Sequence, residues 1–68
     1  MRGTVTRFEF GWGFVRRLDH QPGDKDYFVH WSGCRPGYRP SVDDLVQFEV
    51  EEGERGPRAV QVTPVGGP

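Results

Sequence analysis

Two stretches of the sequence decide the fold: Gly11-Trp12-Gly13-Phe14-Val15 and Tyr27-Phe28-Val29-His30-Trp31. Both are short and rich in aromatic and β-branched side chains, which is typical of β-strands. Successive side chains of a strand point to opposite faces. If Val15 and Val29 point into the protein, the alternation predicts four rings on the outer face: Trp12, Phe14, Phe28 and His30.

The glycines of the first stretch favour this assignment over the inverted one. Gly11 and Gly13 share a face with Val15, and small residues on an inner face relieve crowding where backbones approach closely. The inverted assignment buries Trp12 and Phe14 and exposes two valines. We therefore expect an exposed aromatic patch, and such patches generally mark an interaction surface.

The rest of the chain extends this pattern to an all-β protein. Ten glycines and six prolines divide 68 residues into pieces too short for a long helix. Five strands are predicted, over residues 3–10, 12–18, 27–31, 45–51 and 58–63. Five short strands favour a closed barrel, because closure removes exposed strand edges. One domain is expected over residues 1–64, followed by a frayed tail over residues 65–68.

The predicted core contains one apolar face from each strand. The expected members are Val5, Val15, Leu18, Tyr27 or Val29, Val46, Phe48, Val50, Val60 and Val62. These side chains fill a small barrel and leave most of the aromatics outside it.

Composition excludes several classes of protein. The net charge is −1, and a single cysteine, Cys34, allows neither an intramolecular disulfide nor a zinc site built on cysteine pairs. No apolar run is long enough to span a bilayer, and the N-terminus lacks the apolar stretch of a signal peptide, so a cytoplasmic location is expected. Residues 1–40 hold seven basic and four acidic side chains, a net +3, together with eight of the nine aromatics. Arginine interleaved with aromatics is typical of single-strand nucleic-acid binding.

Four ordered motifs resemble those of the cold-shock domain family. Residues 11–15 resemble its first ribonucleoprotein motif, residues 26–32 its second, residues 3–5 its opening strand, and residues 46–59 its closing segment. The resemblance implies a five-stranded antiparallel OB-fold barrel that binds single-stranded RNA and DNA and acts as an RNA chaperone, often in cold adaptation. The segment between Val5 and Gly11 is shorter than in the family, and Phe10 stands where the family has a lysine.

The resemblance and the alternation together give a set of candidate contacts. We expect nucleic acid to be bound by Arg7, Phe8, Trp12, Phe14, Arg16, Asp26, Phe28, His30, Trp31, Tyr38 and Arg55. Stacking is assigned to the rings, phosphate contact to the arginines, and hydrogen bonding to base amino groups to Asp26. His30 is expected either to stack or to donate a hydrogen bond to a base or phosphate, and Arg55 either to contact nucleic acid or to brace the end of the barrel. For Tyr38 and Asp26, purely structural roles in a loop remain open, and Trp31 has the inward parity of its strand but lies at the strand end.

The sequence predicts neither a cofactor nor a metal, and no catalytic residues, because it offers no paired acid and base, activated nucleophile or phosphate-binding loop. The expected partner is single-stranded, pyrimidine-rich RNA or DNA, bound by a monomer. The alternative is a small β-barrel that binds an extended or proline-rich peptide through the same aromatics.

Overall fold

The computed structural model describes residues 1–54 and 56–66. All five predicted strands are present, with bounds that differ from the prediction by at most two residues: β1 Arg2–Glu9, β2 Trp12–Arg17, β3 Tyr27–His30, β4 Leu45–Gly53 and β5 Gly56–Pro64. A single 3₁₀ turn, Trp31–Gly33, follows β3. In the described part of the chain, no helix has the length and apolar character to cross a membrane.

The strands close into a barrel in the order β1-β2-β3-β5-β4. The pairs β1–β2, β2–β3, β1–β4 and β4–β5 are antiparallel, whereas β3 and β5 run parallel. The antiparallel barrel expected from the sequence therefore has one parallel pair. The reason is geometric, because an odd number of strands cannot alternate in direction around a closed ring.

The core lies inside this ring. Its buried members are Val5, Val15, Val29, Cys34, Val46, Phe48, Ala59 and Val62. Val50 and Tyr27 are partly buried against it, and the Tyr27 ring lies 5.7 Å from that of Phe48, centroid to centroid. The predicted face assignment of β2 and β3 is confirmed, since Val15 and Val29 are fully buried.

Two predicted core residues are wrong. Leu18 is 59% exposed, because β2 ends at Arg17 and Leu18 lies beyond the barrel wall. On β5 the buried residues are Ala59 and Val62, and Val60 is only half-buried. A bulge shifts the register between β4 and β5 there, and Gln61 takes a left-handed φ of 52°. The extra residue reverses the alternation upstream of the bulge, so that Ala59 replaces Val60 in the core.

The β1–β2 hairpin has a two-residue turn of left-handed backbone. Glu9 pairs with Trp12, and between them Phe10 and Gly11 have φ values of 58° and 84°. Such turns match the twist of the flanking strands. Deeper in the hairpin Gly13 is buried, and a Cβ built there would collide with the backbone of Arg7 and Phe8. The inward glycine therefore permits a close approach of β1 and β2.

A long loop connects β3 to β4, and contacts with the rest of the barrel hold it near both ends. Cys34 forms an isolated bridge with Val62, and the Tyr38 hydroxyl donates to Asp44 Oδ2 at 2.7 Å. At the other end of the fold, Val65 N donates to Leu45 O at 3.0 Å, one residue beyond β5. Gly67 and Pro68, the end of the predicted tail, lie outside the described residues.

Candidate nucleic-acid interface

Three rings form a cluster on the outer surface of β2 and β3. Trp12, Phe14 and Phe28, called here the aromatic patch, have centroids 6.0, 6.2 and 6.1 Å apart. Trp12 and Phe28 lie nearly parallel at 25°, whereas Phe14 meets both edge-on. Phe28 is 39% exposed and the other two rings are half-buried. The rings support one another sideways and leave surface open to a flat ligand.

The pairing of β2 with β3 aligns these rings. Phe14 pairs with Phe28 and Trp12 with His30, while Gly13 pairs with Val29 on the inner side. Aromatic cross-strand pairs stabilise a sheet by roughly 0.2–1 kcal/mol each. The patch is therefore preformed, because the same register that buries Val29 brings the rings together.

His30 and Trp31 continue the aromatic surface toward the end of the barrel. Their ring centroids are 5.5 Å apart, both residues are exposed, and Trp31 is 64% so. His30 Nδ1 accepts a hydrogen bond from Ser32 N at 3.2 Å and lies 2.8 Å from Ser32 Oγ, which fixes the orientation of the ring. If β3 continued through Trp31, strand alternation would turn this side chain inward. Trp31 instead begins the 3₁₀ turn, and its side chain is exposed.

A register shift on β1 separates the roles of Arg7 and Phe8. The shift falls between Val5 and Arg7 and turns Arg7 outward, where its guanidinium carbon lies 5.1 Å from the Trp12 ring centroid. This cation–π contact accompanies an ion pair with Glu9 at 3.0 Å. Phe8 instead packs against the core and lies outside the aromatic patch.

Arg16 and Asp26 bind each other. Arg16 Nε donates to Asp26 Oδ1 at 3.0 Å, and Thr6 Oγ1 donates to Asp26 Oδ2 at 3.3 Å. The two residues lie next to the patch, since Arg16 follows Phe14 on the outer face of β2 and Asp26 precedes β3. To contact a phosphate or a base amino group, either side chain must exchange this internal partner for the ligand.

Tyr38 is anchored in the loop after β3. Its ring is half-buried against the core. Burial, together with the hydrogen bond to Asp44, raises the pKa of the Tyr38 hydroxyl well above its ordinary value of 10.0. The ring also borders a groove between this loop and the β1–β2 hairpin, called here the rim groove, which is lined by Phe8, Phe10, Trp31, Arg35, Tyr38 and Arg39 among others.

One basic residue near the patch was missed by the sequence reasoning. Arg58 pairs with Phe28 across the parallel β3–β5 contact and forms an ion pair with Glu51 at 2.8 Å. No local sequence signal identifies it, because its position depends on which strand closes the ring beside β3. Arg55, the remaining predicted contact, lies outside the described residues.

Several arginines of the barrel, including those beside the patch, form ion pairs within the protein. Ion pairs join Arg7 to Glu9, Arg16 to Asp26, Arg17 to Asp19 and Arg58 to Glu51. Within residues 1–54 and 56–66, Arg35 and Arg39 have no carboxylate within 4.0 Å, and both border the rim groove. Unpaired positive charge therefore lies at the rim groove, and Lys25, which also has no ion pair among the described residues, lies beside Phe14 at the edge of the patch.

The residues in this region do not form a metal or nucleophile site. The described residues contain no cluster of three or more His, Cys, Asp or Glu side chains able to hold a metal. The Cys34 thiol is buried, its Sγ donates to the His30 carbonyl at 3.7 Å, and burial raises its pKa. A raised pKa disfavours the nucleophilic thiolate.

Comparison with known proteins identifies the family. Residues 1–65 match the 'Cold-shock' DNA-binding domain. A cold shock protein of Arthrobacter globiformis is 41% identical over an alignment of 66 residues that covers 91% of this chain and 94% of that protein. The chain belongs to the cold-shock domain family. The cold shock-like proteins CspC of Escherichia coli, 39% identical over 81% of this chain and 78% of that protein, and CspB of Yersinia pestis, 38% identical over 91% and 90%, agree with this assignment.

Structural comparison supports the cold-shock fold independently. A solved structure described as "drosophila Unr CSD456" superposes with a TM-score of 0.75 over 94% of this chain and 26% of that longer chain, at 23% identity. Cold-shock domains bind single-stranded nucleic acids and are not enzymes, so this chain is a nucleic-acid-binding protein. Both ribonucleoprotein motifs of the cold-shock domain lie on β2 and β3, where they supply the aromatic patch.

Proposed function

We propose that single-stranded nucleic acid binds by stacking its bases on the aromatic patch and on the adjoining rings of His30 and Trp31. The observation that carries the proposal is the preformed cluster of Trp12, Phe14 and Phe28, with centroids within 6.2 Å of one another on one outer face. Any base offers a π face to such rings, so stacking tolerates different sequences.

Stacking supplies most of the affinity. Each stacked base contributes roughly 1–3 kcal/mol, so about three stacked bases give useful binding. A chain of net charge −1 lacks a strong long-range positive field, and the ion pairs around the patch reduce local charge further. Among stacked ligands we propose a preference for pyrimidine-rich strands, because their flexible backbones adapt readily to a protein surface.

The remaining candidate contacts surround the stacked bases. Arg7 and Arg16 meet phosphates by leaving Glu9 and Asp26, and the freed Asp26 carboxylate accepts from a base amino group. Phe8 and Tyr38 contact the strand at the rim groove, and Arg55 contributes phosphate binding.

A monomer of this kind acts as an ATP-independent RNA chaperone in the cytoplasm. The site is an open surface, so bound strands exchange rapidly, and single-strand binding pulls the equilibrium of weak RNA hairpins toward the melted form. Cold adaptation and control of transcription or translation are processes that depend on such melting.

A fluorescence titration tests the proposal. Oligothymidylate and oligouridylate should quench the tryptophan emission, because Trp12 lies in the patch and stacks on a base. A duplex of matched sequence should bind far more weakly, since its bases are stacked on one another. Equal affinity for single strands and duplex contradicts stacking, and quenching by a proline-rich peptide alone supports a peptide-binding module instead.

A further inference from the structure

Phe10, at the tip of the β1–β2 hairpin, has features that neither the core nor the aromatic patch explains. Its side chain is 90% exposed, the highest value among the exposed large hydrophobic residues of the described chain. Its backbone is left-handed, with a φ of 58°, a conformation that Gly, Asn or Asp adopt at much lower cost than Phe. A phenyl ring here therefore contributes little to folding.

The hairpin tip is continuous with the aromatic surface of β3. Trp31 N donates to Gly11 O at 2.8 Å, and a Cβ built on Gly11 would lie 3.0 Å from Trp31 Cδ1. Trp31 in turn lies 5.5 Å from His30, which pairs with Trp12 of the patch. Rings therefore follow one another from the patch through His30 and Trp31 to the rim groove, which Phe10 also lines.

The charge at the rim groove is suited to a polyanion. Arg35 and Arg39 border it together with Phe10 and Trp31, and in the described ranges neither arginine is within 4.0 Å of a carboxylate. Glu9, the acidic residue of the groove, is already paired with Arg7. Apolar rings beside free guanidinium groups match a base and its phosphate.

We infer that Phe10 is an additional stacking platform, which holds one more base of the bound single strand in the rim groove, beyond the aromatic patch, with Arg35 or Arg39 at its phosphate. The inference rests on the proposed function, because it extends the same strand from Trp31 toward the hairpin tip. The ring of Phe10 faces solvent until the strand arrives and so is available without rearrangement of the fold.

The test compares Phe10→Asn with the unmodified protein on oligothymidylates of increasing length, from about three to about eight nucleotides. Asparagine keeps the left-handed turn and removes the ring. We expect affinity for the longest strands to fall about 5- to 150-fold, with little change for the shortest strands, which occupy the patch alone. Phe10→Trp should restore long-strand affinity, since it restores an aromatic face.

Leu18→Asn is the matched control. Leu18 is also an exposed apolar residue, 59% exposed, and it lies at the opposite end of the same hairpin, where its N–H bonds Arg2 O. This control should leave affinity unchanged at every length. Thermal melting of Phe10→Asn should match or exceed that of the unmodified protein.

The outcomes separate this inference from the proposed function. Unchanged affinity of Phe10→Asn at all lengths overturns the extra platform, and so does an equal loss at all lengths, because a ring that holds an added base does not affect strands too short to reach it. Loss of affinity in Phe28→Ala under either result leaves the proposed function standing. If Phe28→Ala also binds normally, the patch itself is not the site. Sedimentation analysis checks a further outcome. If the unmodified protein self-associates, and Phe10→Asn abolishes this association without changing affinity for single strands, the ring serves protein contact and the inference is overturned.

Discussion

Phe14 and Phe28 are register partners across β2 and β3, with ring centroids 6.1 Å apart on the outside of the barrel. The next residue of each strand, Val15 and Val29, is fully buried. Two consecutive positions on each strand therefore have separate places, one in the outer patch that we propose binds nucleic acid and the next in the core.

This separation gives a matched pair of substitutions on β3. Phe28→Ala should weaken single-strand binding by about 1–3 kcal/mol with little loss of stability, because its ring is 39% exposed. Val29→Ala should cost about 2–4 kcal/mol of unfolding free energy by opening a core cavity. Urea denaturation and fluorescence titration measure the two effects. Unfolding of the domain by Phe28→Ala is incompatible with an exterior binding role for that ring.

Salt dependence should reveal how many arginines the ligand neutralises. Each phosphate neutralised on a single strand contributes a slope of about −0.7 in log affinity against log salt, and we expect a total of about −1 to −2. Glu9→Gln removes the internal partner of Arg7, which lies over Trp12. The slope should then steepen by up to about 0.7, because Arg7 no longer divides its charge between Glu9 and a phosphate.

Asp19→Asn is the control for this experiment. It frees Arg17 in the same way, but Arg17 has the opposite parity to Trp12 and Phe14 on β2. Its slope should match that of the unmodified protein. A slope steeper than about −4 for the unmodified protein is the result that would displace stacking from the centre of the mechanism.

The Tyr38 hydroxyl should stabilise the folded protein at neutral pH, and this contribution should be lost at alkaline pH. Its pKa is raised in the folded state from an ordinary 10.0, by burial first and then by the bond to Asp44. When folding raises the pKa of a group, the protonated group stabilises the folded state. This contribution is complete at pH values below the pKa of the group in the unfolded chain, and it is lost as the pH rises from there through the pKa in the folded state. Tyr38→Phe should therefore be less stable by about 1 kcal/mol at neutral pH.

The difference in the free energy of unfolding between Tyr38→Phe and the unmodified protein should become smaller above about pH 10. Urea denaturation at a series of pH values measures it. A difference that stays constant across the alkaline range shows that the hydroxyl does not carry the stabilisation.

Two glycines test the close approach of β1 and β2. Gly13→Ala should destabilise the fold by about 1–3 kcal/mol or more, since the added methyl would collide with the Arg7 carbonyl. Gly23→Ala adds a methyl where nothing lies within 4 Å, and its cost is confined to the left-handed backbone, about 1–2 kcal/mol. Thermal or urea melting ranks the two, and equal stability of Gly13→Ala and the unmodified protein would contradict the packing of this hairpin.

The sequence by itself determined the features that depend on local alternation. Val15 and Val29 point inward, and Trp12, Phe14 and Phe28 lie outside, because side chains of one strand alternate whatever its neighbours are. The number of strands and their approximate bounds also follow locally, from glycine, proline and β-branched residues. Together with the motifs on β2 and β3, these features are enough to identify the family.

Only the tertiary structure decided the features that depend on how distant segments meet. The parallel contact of β3 with β5 brings Arg58 beside Phe28, across 30 positions of sequence. The bulge at Gln61 exchanges Val60 for Ala59 in the core, and the pairing of Arg16 with Asp26 occupies two predicted ligand contacts. Trp31 and Phe10 lie together at the rim groove because a 3₁₀ turn meets a hairpin tip. Ring closure, the bulge and the Arg16–Asp26 ion pair each depend on a residue ten or more positions away along the chain, and no local pattern contains that information.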